Sequence, residues 1–177
     1  MTPFSAIRAR AQARKGGSDK LAALLPPVPD AGALKKLPDD RALAEMTKRV
    51  FSAGFAWSVI EAKWPGFEEA FRGFSPARLA FEPDDYWDGL TKDARIVRNG
   101  AKIGSVRKNA AFVMGVAQEH GSFGAFLAAW PSSDEIGLLD RLAKRGDRLG
   151  GMTGQMVLRF LGWDGFTTSK DVVACLI

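Results

Sequence analysis

Cysteine and histidine are almost missing from this chain of 177 residues: each occurs once, as Cys175 and His120. A single thiol rules out an intrachain disulfide framework and fits a reducing compartment. One Cys and one His also fall short of the four ligands of a Cys/His zinc site. No stretch approaches the ~20 consecutive apolar residues of a membrane-spanning helix. No alternating apolar and polar run is long enough to read as a strand. Internal repeats and low-complexity blocks are lacking too. What is present is a chain with 46% hydrophobic residues, enough for one domain, or two small lobes, with a real core.

The net charge of +5 is less informative than its distribution. Residues 1–20 carry Arg8, Arg10, Arg14, Lys15 and Lys20 against Asp19. Acids dominate residues 61–88, with Glu61, Glu68, Glu69, Glu82, Asp84, Asp85 and Asp88. Bases return over 92–108 (Lys92, Arg95, Arg98, Lys102, Arg107, Lys108) and over 141–159 (Arg141, Lys144, Arg145, Arg148, Arg159). Two basic clusters beside an acidic stretch suggest one face for a polyanion. Ordinary solvated helix surface produces the same pattern.

Residues 4–15 read as a basic amphipathic helix ended by Gly16-Gly17-Ser18. Such an Arg-rich, acid-poor start suits a transit peptide, an arm that follows a polyanion, or a loosely docked tail. Leu24-Leu25-Pro26-Pro27-Val28-Pro29 is a linker, because proline removes donors and blocks helix. We therefore expect a basic arm and linker over 1–30 and a helical domain over 31–177. One helix is predicted over 41–63, apolar on more than one face, with Gly54 in its interior. A close helix crossing, an approaching ligand or plain packing would each account for that glycine. Trp64-Pro65-Gly66 should break the chain, and short helices should follow at 66–72, 75–80 and 84–91. A longer helix is predicted over 100–119, where Ile103, Val106, Ala110, Val113 and Val116 recur at helical spacing. His120 then reads as a C-terminal helix residue facing water. Helices at 122–130, 135–145, 152–161 and 169–176 complete an all-α fold of many short helices. The apolar ending Val172-Val173-Ala174-Cys175-Leu176-Ile177 suggests that the natural protein continues.

Two segments carry chemistry. The first runs from Phe51 to Val116, through Ser52-Ala53-Gly54-Phe55-Ala56-Trp57 and Arg95-Ile96-Val97-Arg98-Asn99-Gly100-Ala101-Lys102-Ile103 to Asn109-Ala110-Ala111-Phe112. A glycine followed by aromatics can make a flat-walled apolar slot, and a basic, Gly-containing helix start can hold a phosphate. The second, Leu142-Ala143-Lys144-Arg145-Gly146-Asp147-Arg148-Leu149-Gly150-Gly151-Met152-Thr153-Gly154, joins two helices through a Gly-rich turn whose backbone could approach a phosphate. An aromatic slot beside a phosphate grip suits an enzyme that takes a base out of DNA.

Taken together these segments resemble the 3-methyladenine DNA glycosylase I family of the helix-hairpin-helix DNA glycosylases. Ala53-Gly54-Phe55-Ala56-Trp57 looks like the family's pocket helix. Ile96-Val97-Arg98-Asn99-Gly100-Ala101-Lys102-Ile103 followed by Asn109-Ala110 looks like its most recognisable motif. Lys144-Arg145-Gly146, Gly151, Thr153 and Leu161-Gly162 look like its hairpin region. The resemblance covers residues 43–176 and implies an all-α, two-lobed fold of helix-hairpin-helix type. Three departures stand out. The family's Cys/His zinc site has no residues here, so neither metal nor cofactor is expected. The family's pocket Glu is matched by Arg49. The family's N-terminal aromatic pocket segment has no counterpart in residues 1–40.

The resemblance implies excision of alkylated bases from DNA, 3-methyladenine first, by a monomer without membrane attachment in a bacterial cytoplasm. Trp57 matches the stacking residue, where an indole face favours a cationic base by ~0.5–2 kcal/mol. Phe55 and Trp64 are candidate walls, though each reads more simply as core packing, and Glu45 is a reserve contact to the base. Asp171 is the expected catalytic carboxylate, placed to stabilise an oxocarbenium ion, with Lys170 the alternative occupant. Gly150, Gly151, Thr153 and Gly154 are the expected phosphate grip. Arg98, Asn99 and Lys102 either touch phosphate or brace the pocket, and Asn99 also suits a helix N-cap. A non-catalytic helix-hairpin-helix DNA-binding module is the alternative function.

Overall fold

A computed structural model describes residues 3–25, 30–167, 170, 173 and 174. Among the described residues there are eleven α-helices, one 3-10 turn and no strand, so the all-α expectation holds. The chain forms two compact units, one of the N-terminal helices with the residues from Phe166 on, the other spanning Asp30–Gly165.

In the first unit α1 (Phe4–Lys15) packs against α2 (Ser18–Leu24). Gly16 ends α1 in the left-handed region, as its lack of a Cβ permits. Neither helix buries a residue. The helix expected over 169–176 lies largely outside the described residues.

The second unit holds α3 (Ala31–Lys35), α4 (Asp39–Ser52), α5 (Trp57–Ala70), the 3-10 turn Arg72–Phe74, α6 (Pro76–Ala80), α7 (Asp84–Leu90), α8 (Gly100–His120), α9 (Phe123–Ala129), α10 (Glu135–Arg145) and α11 (Gly151–Leu161). The longest, α8, is the spine, with α4, α6 and α9 packed on it. Its Ile103, Val106, Ala110, Val113 and Val116 are all buried, at the spacing that the sequence shows. Leu43, Met46 and Val50 of α4 join the same core. Asp39 in the first turn of α4 accepts from the Phe123 amide at 2.7 Å, tying the start of α9 to the start of α4.

Two expectations are corrected here. The single helix over 41–63 is two helices, separated at residues 53–56. Ala53 leaves helical geometry and Gly54 adopts φ +77°. Among the described residues a Cβ on Gly54 would meet nothing within 4 Å, so neither a close crossing nor packing there explains the glycine. The positive φ explains it. Conversely, Trp64-Pro65-Gly66 does not break the chain, and α5 runs through Pro65 to Ala70, absorbing most of the short helix expected at 66–72. An interior proline costs about 3 kcal/mol. Burial of Ile60, Phe67 and Ala70 on the same helix offsets it, at about 1.5–3 kcal/mol for each large apolar side chain. Gly66 sits where a Cβ would stand 2.6 Å from the Arg95 carbonyl, so α5 lies tight against that loop.

Aromatic rings fill the space behind the break. Phe51 meets Phe67 edge-on at 4.8 Å, and Phe71 and Phe74 extend the stack.

Gly124, at the crossing of α9 with α3, has no room for a side chain. A Cβ there would press on the Leu34 carbonyl and stand 2.9 Å from the Leu37 carbonyl. Gly124→Ala should therefore cost about 1–3 kcal/mol of unfolding free energy in urea titration, the cost of overpacking against fixed backbone.

Candidate functional site

Positions four apart on a helix share a face, and Glu45 and Arg49 do so near the end of α4. Arg49 is 5% exposed, and its Nε stands 2.5 Å from Glu45 Oε1. Its guanidinium carbon lies 4.0 Å from the ring centre of Trp57, the first residue of α5, and 4.0 Å from that of Phe160 on α11. The two rings are 5.7 Å apart and inclined at 31°, too close to hold a guanidinium sandwiched between them. The cation therefore caps a corner that the rings form. Trp57 is 44% and Phe160 49% exposed, so an open aromatic surface adjoins a buried ion pair.

Burial acts on both charges of this pair. It pushes the Glu45 carboxyl above its usual range, against the pull of Arg49 and Lys48. It lowers the Arg49 guanidinium, against the pull of Glu45 and Glu61. Removing one partner would strand a buried charge, so each fixes the other.

Beside this corner the break between α4 and α5 is held from α8. The Lys102 ammonium donates to the Phe51 carbonyl at 3.2 Å and to the Ala53 carbonyl at 2.6 Å. It thereby caps the C-terminal end of α4, where the helix dipole favours a cation. Burial, then the nearby Arg148 charge, lowers the Lys102 ammonium. Of its two expected roles, bracing fits this geometry, because the ammonium is spent on carbonyls. Asn99 caps α8, accepting from the Lys102 amide at 3.1 Å. Arg98 is exposed and makes no ion pair among the described residues. Phe55 is half exposed on the 53–56 segment, with the Lys102 ammonium 4.8 Å from its ring centre.

The hairpin between α10 and α11 is built on glycine for steric reasons. A Cβ on Gly146 would stand 2.5 Å from the Leu149 side chain, and one on Gly154 would press on the Leu149 carbonyl. Leu149 is buried and anchors the turn. Arg148 and Gly151 take positive φ of 62° and 56°. Gly150 precedes α11 with no side-chain cap, leaving the helix start to backbone N–H groups, the arrangement that receives anions. Gly150 and Gly151 are exposed, Thr153 is half-buried and Gly154 is buried. Asn109 of α8 clamps the turn: its Nδ2 donates to the Asp147 carbonyl at 3.1 Å, and its Oδ1 accepts from the Asp147 amide at 2.7 Å.

Of the expected pocket residues, Trp57, Arg49 and Glu45 come together. Trp64 is partly buried and packs against the core, stacked on Phe67 and Phe74 at 5.4 and 5.3 Å with its indole N–H on Glu68. Asp171 lies outside the described residues, and Lys170 is exposed. Two residues were missed in the sequence. Phe160 stands off the buried face that Val157, Leu158 and Leu161 make on α11, and an aromatic off its helix's apolar face was the available signal. Asn109 was noted only as part of a motif, and its clamp crosses 38 positions of sequence.

A Cys/His zinc site does not fit these residues. The His120 ring packs 5.1 Å from Phe126, and its Nε2 is 3.7 Å from Glu119. The described residues hold no group of three His, Cys, Asp or Glu that could bind a metal.

Asn109→Ala leaves two partly buried backbone groups of the hairpin turn without these partners. It should lower unfolding free energy by about 1–3 kcal/mol. Amide hydrogen exchange should accelerate first in the turn around Asp147, ahead of the interior of α8.

Residues 34–141 match the profile of the methyladenine glycosylase family. Solved structures share the fold. The 3-methyladenine DNA glycosylase I of Staphylococcus aureus is 23% identical, with a TM-score of 0.63 over 75% of this chain and 81% of that one. A variant of 3-methyladenine DNA glycosylase I in complex with 3-methyladenine is 24% identical, with a TM-score of 0.61 over 81% and 84% of the two chains. A solution structure of 3-methyladenine DNA glycosylase I is 21% identical, with a TM-score of 0.58 over 85% and 84%. At these identities the structures speak for the fold, while the profile covers more than half of the chain. The chain belongs to the methyladenine glycosylase family.

Proposed function

We propose that this DNA glycosylase hydrolyses the N-glycosidic bond of alkylated bases in DNA, with 3-methyladenine the first candidate, as a monomer in a bacterial cytoplasm and without a metal. The observation that carries the reading is the half-exposed Trp57–Phe160 corner backed by the buried Glu45–Arg49 pair. A base extruded from the duplex needs an aromatic surface and a fixed polar group at its edge. The corner offers both. The uncapped start of α11, with Gly150, Gly151 and Thr153, is the proposed phosphate grip, and exposed Arg98 and Arg148 add charge around it. Phosphate contacts of this kind position the duplex, and the corner selects the base.

In the reaction the oxygen of water bonds to the sugar C1′ as the bond from C1′ to the base breaks, and the water gives up one proton to solvent. The bonding pair leaves with the base, and positive charge builds on the sugar ring. Asp171 is the proposed carboxylate that faces this charge, with Lys170 as the alternative occupant. An N3-alkylated purine is already cationic and leaves readily, so a sparse catalytic set is sufficient.

One observation favours a second reading, a binding module without catalysis: the Arg49 guanidinium lies against Trp57, where an incoming base would stack. Base release separates the two. Methylated duplex DNA incubated with the protein should yield free 3-methylated purines on chromatography. Trp57→Ala and Asp171→Asn should each cut the rate at least ten-fold while leaving the duplex bound. Binding without release of any base would establish the module. Arg148→Gln should also flatten the dependence of log K on log salt by about 1, the contribution of one phosphate contact.

A further inference from the structure

We propose that α1 is a DNA-binding arm, whose four cations take phosphates of the duplex and supply affinity that depends on neither sequence nor lesion. The choice of DNA as the polyanion rests on the glycosylase reading above.

Arg8, Arg10, Arg14 and Lys15 all lie in α1, which contains no acidic residue. All four are exposed, and none makes an ion pair among the described residues. In the second unit, by contrast, Arg41, Lys48, Arg95, Arg107 and Lys108 each meet a carboxylate at 2.6–2.9 Å. Those charges are neutralised within the protein, and the charges of α1 are not.

Helical phase sorts the four cations into two rows. Arg10 and Arg14 are four apart and share one side, while Arg8 and Lys15, two turns apart, share the other. Ile7 and Ala11 fall between the rows and are half-buried, as is Leu21 of α2, against which α1 packs. The covered stripe therefore leaves both rows open to solvent. The helix dipole favours Arg14 and Lys15 in the last turn. It does nothing for Arg8 and Arg10, and Arg10 repels Arg14 across one turn. A helix of 12 residues that buries none of them has little else to hold it. A polyanion removes the repulsion, so binding should also firm the helix.

The apolar content of α1 separates DNA from a membrane surface. A helix that lies on a membrane buries a face rich in Trp, Phe or Leu. Here the large apolar residues are Phe4 and Ile7 alone, and Ile7 is already half-covered. Attraction to closely spaced phosphates needs no such face.

The test replaces Arg8, Arg10, Arg14 and Lys15 together by Gln in the full chain, because Gln keeps a long stem and a good helix preference. Binding to a lesion-free duplex is followed by fluorescence anisotropy between 50 and 200 mM salt. The slope of log K against log salt should be shallower in the variant by about 3, since each phosphate contact contributes about 0.9. At 100 mM salt the variant should bind at least ten-fold more weakly, and the three Arg→Lys substitutions, which keep the charge, should retain the wild-type slope. Amide exchange in α1 of the wild-type protein should slow when duplex is added, and not when vesicles of phosphatidylserine and phosphatidylcholine are added. Urea unfolding should be unchanged, since no substituted side chain is buried. Equal slopes without protection of α1 overturn the inference. Protection by vesicles alone also overturns it and assigns the arm to a membrane surface. Base release from methylated duplex by the wild-type protein reads the glycosylase proposal separately. Release with equal slopes defeats the arm alone, and a steep slope lost in the variant without any release defeats the glycosylase reading alone.

Discussion

The buried ion pair between Glu45 and Arg49 is the constraint on which the site depends. Desolvation works against both charges, and each is tolerable only because the other is there. The pair is i,i+4 on one helix, so α4 alone sets its spacing. What α4 cannot supply is the surface that the guanidinium caps. That comes from Trp57 at the start of α5 and Phe160 on α11, so one side chain fixes the meeting of three helices.

Trp57 reaches that meeting because the chain turns at residues 53–56. A continuous helix would carry the indole onward with the backbone. Instead Gly54 takes a positive φ, and Lys102 reaches from α8 to the carbonyls that α4 leaves open. The same α8 clamps the hairpin through Asn109. The spine of the fold thus holds both halves of the proposed site, the aromatic corner through Lys102 and the anion-receiving helix start through Asn109. A repair enzyme gains from this economy, since a base pocket and a phosphate grip must keep a fixed separation to seize one nucleotide.

Much of the fold was legible in the sequence, because the long amphipathic elements are governed by local periodicity. Ile103, Val106, Ala110, Val113 and Val116 fall on one face of α8 and are buried there. The ends of α8, α10 and α11 follow from Asn99, Gly146 and Gly162 nearby. The errors lie where distant residues override local signals. The break after α4 depends on Lys102, 49 positions away from the carbonyl that it grips at Ala53. Pro65 survives inside α5 because the burial of Phe67 and Ala70 outweighs its local cost. In the site, Arg49 was visible as an anomaly, an arginine where the resemblance expects a carboxylate. Its partner surface was half hidden, since nothing local to residue 160 points to residue 57. Trp64, a candidate wall that reads more simply as core packing, stacks on Phe67 and Phe74.

Glu45 and Arg49 act as one unit that shapes the corner. A double-mutant cycle measures this directly, with unfolding free energies of the wild-type protein, Glu45→Gln, Arg49→Met and the double variant in urea. We predict a coupling energy of about 1–3 kcal/mol, with the double variant more stable than the sum of the two single losses allows. A coupling near zero, with the two losses simply adding, would contradict the account, because each side chain would then hold its place without the other.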